Sequence, residues 1–270
     1  MQGTDTNEKR AAILRKLHHD PLRSSLPPEV LHQLETMAEI RHYPAGATIL
    51  AQGEKGEIVG NVVSGIVKLE RLLSDGRQQI VALLAPTDMF GRVEPERLEC
   101  AVEAATDVTL CCFDRRRFAH LLETSPALQK AVLFWVLDEL DAAREWLGLI
   151  AGETVKARLA TYILMLCRRW PNQALETAAE GPVLVSLAVA RPDLAHFLGT
   201  TVESISRNLQ SMVRDGLIRQ HGASRLEILD LGALVAASGH SEFSADTLQA
   251  AFAQTRERQL SGPDGATSTL

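Results

Sequence analysis

The chain has 270 residues, 46% of them hydrophobic, and a formal net charge of −6. This length can bury a substantial core and favours two domains over one, while the acidic balance argues against a generic basic coat for nucleic acid. No apolar run reaches the roughly 18 residues that a membrane span needs, and residues 1–10 are polar with no signal region behind them. The sequence therefore predicts a cytoplasmic protein.

The first part of the chain changes from an arm to a β-rich region. Residues 1–26 are charged and mostly unpatterned, which predicts an N-terminal arm, and Pro27 and Pro28 favour a helix over 29–38. Strands are predicted at 47–51, 61–73, 79–84, 100–105 and 108–113, with turn signals at 53–56, 74–76 and 86–88. Asp75 followed by Gly76 is a strong hairpin signal. Several short strands at this spacing indicate a β-roll over 27–124.

The four cysteines do not form a disulfide pattern. Cys111 and Cys112 are adjacent in an apolar run, whereas Cys100 and Cys167 stand alone. Spacing of this kind does not suggest a secreted disulfide framework. We predict buried thiols.

A long helix is predicted over 125–151, after a shorter helix over 115–123. Ser125 and Pro126 suit its start, and an apolar seam recurs along it at alternating steps of three and four: Leu133, Val136, Leu140, Ala143, Leu147 and Ile150. The helix could lie on the core of its own domain. A narrow seam on a connecting helix suits a two-fold partner better, so we predict a dimerisation helix.

Residues 153–232 carry the functional signal. A helix over 153–170, a loop over 171–182 and an extended segment over 184–187 precede a short helix that begins near Pro192 and ends at Leu198, with Gly199 as its cap. Thr200 or Thr201 caps a second helix over 202–215, which Gly216 ends. Two short helices across a Gly-containing turn form a helix-turn-helix.

The second of these helices has an apolar face and a polar face. We expect the core face to consist of Val202, Ile205, Leu209, Met212 and Val213. The residues predicted to contact DNA are Thr201, Glu203, Ser206, Arg207 and Gln210. Arg207 can pair with guanine O6 and N7, Glu203 can accept from cytosine N4, and Ser206 can contact a neighbouring pair. The alternative is that Glu203 closes a capping box with Thr200 or complements the helix dipole, while Arg207 is solvated.

After Gly216, two short segments are predicted to form a β-hairpin, the wing of the motif. Residues 217–221 and 225–229 flank Gly222 and Ala223, and Ser224 and Arg225 near the tip could meet phosphate. Residues 233–270 are predicted to form a short helix and a disordered tail.

This order of elements resembles the Crp/Fnr superfamily of bacterial transcription regulators over about Pro27–Gly232. The most specific part is LGTTVESISR, residues 198–207, which is similar to the Fnr and FixK branch, with Val202 where the Crp branch has an arginine. The segments 75–84, 110–113 and 137–146 are similar to FnrL-type regulators, which govern low-oxygen respiration and pigment synthesis.

The resemblance implies an α+β fold and a mode of action. The fold is a cyclic-nucleotide-binding-like jelly roll, a dimerisation helix and a winged helix-turn-helix. Glu203, Ser206 and Arg207 take the roles that read a TTGAT half-site, in a palindrome with four central bases. It further implies a homodimeric activator that binds double-stranded DNA and works with RNA polymerase.

The sensor departs from the family pattern. Cyclic-nucleotide-binding members have a Gly-Glu pair and a later Arg-Ser/Thr pair, but here Gly91 precedes Arg92, and Ala101 and Val102 occupy the later place. A phosphate pocket without its arginine lacks its main charge partner, so cyclic AMP binding is not expected.

A four-cysteine iron–sulfur site is not expected either. Cys111 resembles the central cluster ligand of Fnr proteins, but no cysteine precedes Cys100. His18 and His19 lie near the place of the missing ligands and could bind a cluster, haem or another metal. Two solvated histidines are the alternative, and we predict no cofactor. An enzyme on a cupin-like roll would need metal-binding histidines, and residues 47–113 contain none, so no enzymatic activity is expected.

Overall fold

The computed structural model describes residues 26–94, 96–150, 154–170, 175–177, 183–240 and 243–260. The arm, the tail after residue 260 and most of the loop over 171–182 lie outside these residues. The chain divides into two compact units between Trp146 and Leu147, inside the long helix. A unit boundary at 232/233 is not observed, because a helix runs through these residues.

The first unit is a roll of two four-stranded antiparallel sheets. Helix α1 (Pro28–Met37) begins at Pro28 with Pro27 as its N-cap, one residue before the predicted start. The strands are β1 (Glu39–Tyr43), β2 (Thr48–Leu50), β3 (Ile58–Ser64), β4 (Val67–Leu72), β5 (Gln78–Leu84), β6 (Met89–Phe90), β7 (Ala101–Ala104) and β8 (Val108–Asp114). One sheet has the order β1-β8-β3-β6 and the other β2-β7-β4-β5. The jelly-roll expectation is confirmed.

The predicted strands missed β1 and β6 and joined two strands into one. The strand β1 was missed, because Arg41 and His42 interrupt its apolar pattern, although it pairs with β8 along its whole length. The run over 61–73 is two strands separated at Gly65, which has φ 82°. A Cβ at Gly65 would lie 2.2 Å from the Asp107 carbonyl oxygen, so the turn admits only glycine.

The central strand β8 divides the core of the roll between two faces. Successive strand residues point to opposite faces, so Cys111 joins one buried cluster with Val59 and Phe118. Cys112 joins the other, with Val62 and Leu110.

Two helices follow the roll. The Asp114 side chain caps α2 (Arg115–Thr124) by accepting from the Arg117 amide at 2.9 Å. Ser125 then accepts from the Leu128 amide at 3.3 Å at the start of α3 (Pro126–Ile150). Both helix starts follow the usual preference for short polar N-caps.

The second unit forms around one buried helix. Helix α4 (Val155–Arg169) carries nine consecutive buried residues, 159–167. The remaining elements are β9 (Leu175–Thr177), β10 (Val183–Ser186), α5 (Arg191–Phe197), α6 (Val202–Arg214), β11 (Ile218–His221), β12 (Arg225–Ile228), α7 (Leu231–Ser238) and α8 (Ala245–Leu260). Their sheet has the order β11-β12-β10-β9. Helices α6, α7 and α8 contact α4, which explains why the stretch 159–167 is buried on every side.

Candidate nucleic-acid interface

Helices α5 and α6 are joined by a turn that glycine makes possible. Gly199 has φ 60°, and the Thr200 amide donates to the Ala195 carbonyl at 2.9 Å. This is the hydrogen bond of a Schellman ending. Gly216 ends α6 in the same way, with φ 72° and the Leu217 amide bonded to the Met212 carbonyl at 3.0 Å. The two glycines therefore fix where the second helix begins and ends.

The buried face of α6 is narrower than the sequence suggested. Ile205, Leu209 and Met212 are completely buried, but Val202 and Val213 are 41% and 38% exposed. The prediction that both valines belong to the core was wrong. At about 100° per residue they lie roughly 60° and 80° from Ile205, at the edge of the apolar stripe.

The opposite face of α6 is polar and exposed. Glu203, Arg207 and Gln210 are exposed, and Ser206 is half-buried at the side of the helix. Within the part of the chain that the structure describes, neither Glu203 nor Arg207 belongs to a salt bridge, so both side chains are available to a ligand. They are one turn apart, on the face roughly opposite Ile205.

Thr201, and not Thr200, is the N-cap of α6. Its hydroxyl oxygen accepts from the Ser204 amide at 3.2 Å, which leaves the hydroxyl proton free to donate to a phosphate oxygen. Glu203 does not form the capping box considered from the sequence, because the box would need an acid at Ser204. Of the two alternatives considered for Glu203, only a favourable interaction with the positive end of the helix dipole remains.

A residue that the sequence analysis missed contacts both α6 and the wing. The Arg191 guanidinium donates from Nη1 to Ser206 Oγ at 3.1 Å and from Nε to the Ala223 carbonyl at 3.3 Å. Arg191 lies in the first helix of the motif, where the sequence gives no sign of contact with residues 15 and 32 positions away.

The wing is a hairpin held by a shared carboxylate. One oxygen of Glu227 accepts from His221 Nε2 at 2.9 Å and from Arg219 Nη1 at 2.8 Å. These hydrogen bonds, that from His221 first, lower the pKa of Glu227 below its ordinary value. Ser224 and Arg225 are exposed at the turn, which is compatible with the predicted phosphate contacts.

The end of α6 is tied to the buried helix α4. Lys156 Nζ lies 2.6 Å from Asp215 Oδ2, just beyond the last turn of α6. The hydrogen bond from Lys156 also lowers the pKa of Asp215. This pair helps to fix the C-terminal end of α6.

The predicted dimer seam on α3 is exposed in the single chain. Leu133 and Leu147 are 57% and 69% exposed, and Val136, Leu140 and Ala143 are exposed as well. The Ile150 side chain lies outside what the structure describes. Phe134 and Leu137 extend the apolar surface beside the seam, and a contiguous patch of this kind marks an interaction surface.

The interior of the roll does not suit a nucleotide phosphate. Val102 at the site of the missing phosphate ligands is buried among apolar side chains. In the described part of the roll, the buried cation is Lys68, and Glu103 neutralises it at 3.1 Å. Gly91 has no room for a side chain, because a Cβ would lie 2.6 Å from the Ile58 carbonyl oxygen. An apolar cavity lined by Met89 and Trp135 has a volume of about 40 Å³, far below the size of haem.

The buried cysteines are poorly placed to bind a cluster or to react as thiols. Cys111, Cys112 and Cys167 are buried, and Cys100 is half-buried. Burial raises the pKa of Cys112 and of Cys167 to about 12. Among the described residues, no three His, Cys, Asp or Glu side chains are grouped as metal ligands. His18 and His19 lie outside the described residues.

A β-roll, a long helix with an exposed apolar seam and a winged helix-turn-helix define a class of DNA-binding transcription regulators. Comparison with known proteins agrees. Residues 40–125 match the family model "Cyclic nucleotide-binding domain" and residues 157–237 match "Crp-like helix-turn-helix domain".

The chain is 34% identical to the transcriptional activator protein FnrL of Cereibacter sphaeroides over 224 residues, which cover 83% of this chain and 90% of FnrL. It is 33% identical to the nitrogen fixation regulation protein FixK of Azorhizobium caulinodans, over 78% of this chain and 82% of FixK. The structure of FixK2 from Bradyrhizobium japonicum superposes with a TM-score of 0.67 at 27% identity, covering 76% of this chain and 98% of FixK2. The chain belongs to the Crp/Fnr family of transcription regulators.

Among the described residues, no helix is both long and apolar enough to cross a bilayer.

Proposed function

We propose that this regulator binds a TTGAT palindrome as a homodimer and activates oxygen- or redox-linked genes together with RNA polymerase. The observation that carries the proposal is the exposed pair of Glu203 and Arg207 on α6, roughly opposite its buried residues and outside every salt bridge among the described residues. The N-terminal half of a recognition helix is the part that contacts base edges.

The proposed readout uses complementary donors and acceptors. Arg207 donates to O6 and N7 of the guanine in TTGAT, and Glu203 accepts from N4 of the paired cytosine or an adjacent one. Ser206 contacts a neighbouring base pair, while Thr201 and Gln210 flank this trio. The net charge of −6 gives the chain as a whole no general attraction to the phosphate backbone, so phosphate contacts must come from individual side chains.

The readout is tested by removing one arginine. We expect Arg207→Ala to weaken binding of the full-length protein to a TTGAT-N4-ATCAA duplex by about 5- to 100-fold, and to relax the preference for the G·C pair. Arg214→Ala is the matched control, because Arg214 is exposed on the same side of α6 two turns further on. Unchanged binding by Arg207→Ala, or equal losses in both variants, would contradict the assigned readout.

The dimer is proposed from the exposed seam. Burial of Leu133, Val136, Leu140, Ala143 and Leu147 against a second copy would cover apolar surface that the single chain leaves in water. We expect Leu140→Glu to produce monomers in sedimentation velocity experiments. The control is Leu72→Glu, the same change at an exposed leucine of β4. A dimer that resists Leu140→Glu as well as Leu72→Glu does not use this seam.

We propose further that the protein has no resident cofactor. The burial of Cys111 supports this view, and the apolar surroundings of Val102 argue against cyclic AMP as the effector. Protein purified without oxygen should contain no stoichiometric iron and should not absorb visible light. Iron at one or more equivalents per chain would instead support the haem or iron–sulfur alternative with His18 and His19 as ligands.

A further inference from the structure

The side chain of Arg191 reaches from the first helix of the motif to the side of α6 and to the wing turn. Its Nη1 lies 3.1 Å from Ser206 Oγ and its Nε lies 3.3 Å from the Ala223 carbonyl oxygen. The Leu187 amide donates to the Ser224 carbonyl at 2.8 Å in the same turn. The wing turn is thus bonded to the chain just before α5 and to the first residue of α5.

The direction of the bond between Arg191 and Ser206 is fixed by chemistry. A guanidinium has donors and no acceptor, and it stays protonated at any accessible pH. The Ser206 oxygen must therefore accept. Within the described part of the chain, no carbonyl or carboxylate takes the Ser206 hydroxyl proton, which remains available to a ligand.

The cation also changes what the hydroxyl can bind. A hydroxyl that accepts a charge-assisted hydrogen bond is polarised and becomes a better donor. The nearby positive charge repels a second donor that approaches the same oxygen. A serine hydroxyl can ordinarily donate or accept, but Ser206 is biased toward donating.

We infer that Arg191 is a positioning residue that makes Ser206 a hydrogen-bond donor toward DNA, so that Ser206 selects a base with an acceptor in the major groove. The acceptors available there are guanine O6 and N7, adenine N7 and thymine O4, whereas the amino groups of cytosine and adenine are disfavoured. The inference rests on the proposed function, because it requires α6 to lie in the major groove.

The test compares variants of the full-length protein on a panel of duplexes in which each position of the half-site is changed in turn. Ser206→Ala identifies the base pair that Ser206 reads. We expect Arg191→Met to lose preference at that same base pair, by about two- to tenfold, and at no other position. In the Ser206→Ala background, Arg191→Met should change this preference no further. Arg191→Lys, which keeps a positively charged donor group, should restore part of it.

A phosphate contact by Arg191 would give a different result. Arg191→Met would then weaken every duplex by the same factor and reduce the slope of log K against log salt by about 1. That outcome would overturn the inference. Loss of preference at the positions read by Glu203 or Arg207 would also overturn it, because it would mean that the whole helix had moved.

A measurement on the DNA keeps the inference testable if the Arg191 variants fold poorly. When the base read by Ser206 is an adenine, 7-deazaadenine removes its N7 acceptor. For a guanine, which has two acceptors, 7-deazaguanine removes N7 and 2-aminopurine removes O6, and both duplexes are measured. For a thymine, a pyrimidine analogue without O4 serves the same purpose. Wild-type protein should lose as much affinity on such a duplex as Ser206→Ala loses on normal DNA. No loss would refute the donor role.

The proposed function and the role of Arg191 can be refuted separately. If Arg207→Ala leaves DNA binding unchanged, α6 does not read the groove and the proposed function fails. If Arg207→Ala weakens binding but Arg191→Met leaves every base preference intact, the readout stands and the role of Arg191 is wrong.

Discussion

The C-terminal helix α8 gives the sharpest stability prediction, because the sequence suggested only a short helix and a tail there. Leu248 on α8 is 2% exposed, and Phe243 and Phe252 are buried near it. Helix α8 contacts α4 and β9. We therefore expect it to be an integral part of the DNA-binding unit.

The magnitude follows from Leu248→Ala, which removes three carbon atoms from a buried position. At about 0.8 kcal/mol per buried methylene the transfer loss is about 2.4 kcal/mol, and a residual cavity adds to it. Leu→Ala changes in cores cost about 2 to 5 kcal/mol, and a helix at the edge of a unit can collapse into part of the space. We expect a loss of about 2 to 3 kcal/mol.

The assay is urea unfolding followed by tryptophan fluorescence. The chain has three tryptophans, so a background with Trp135→Phe and Trp146→Phe leaves the buried Trp170 as the reporter of the second unit. The urea midpoint should fall by about 1 to 2 M. Gln249→Ala, at the neighbouring exposed position, should shift it far less. Equal shifts in the two variants would show that α8 does not pack on α4 in solution.

Three further outcomes follow from buried or paired groups in the structure. The Tyr162 hydroxyl donates to the buried Leu187 carbonyl at 2.6 Å. That carbonyl also accepts an amide hydrogen bond at 2.7 Å, so Tyr162→Phe should lower the free energy of unfolding by only about 1 kcal/mol in the same urea assay. An unchanged urea midpoint would contradict this prediction. The pKa of Glu227 is lowered from its ordinary value of 4.5. Its ionised form therefore stabilises the wing fully above pH 4.5, and this stabilisation is lost as the pH falls through the lowered pKa. Glu227→Gln should flatten the acid side of a melting-temperature profile, and an unchanged profile would refute the pairing. Native protein should react with a disulfide reagent at the half-buried Cys100 before Cys112, whose pKa is about 12; equal rates would contradict the buried assignment.

Local signals were sufficient where the structure depends on near neighbours in the chain. Pro28 at the start of α1, Ser125 before α3 and Gly199 and Gly216 at the ends of α5 and α6 act through the residue's own backbone or a cap within a few residues. The adjacent cysteines of β8 were correctly predicted to be buried. These local features are sufficient to predict the class of fold and the position of the recognition helix.

Sequence patterns did not predict strand pairing or burial correctly where these depend on a residue that is distant in the chain. β1 exists because β8 supplies its hydrogen bonds, although Arg41 and His42 weaken its own pattern. Val202 has the same side chain whether buried or exposed, and only the packing of α6 against α4 leaves it at the edge. Apolar periodicity gives the centre of a buried stripe and not its width.

The amino-acid sequence alone determined that α6 exists, where it begins and ends, and that Glu203 and Arg207 share a face, because helix geometry and glycine caps act over a few residues. Only the tertiary structure decided that Arg191 reaches Ser206 and Ala223, and that α8 covers α4. Those contacts join residues that the chain separates by 15 or more positions, and side-chain hydrogen bonds over such separations follow from packing, for which a single sequence holds no periodic signal.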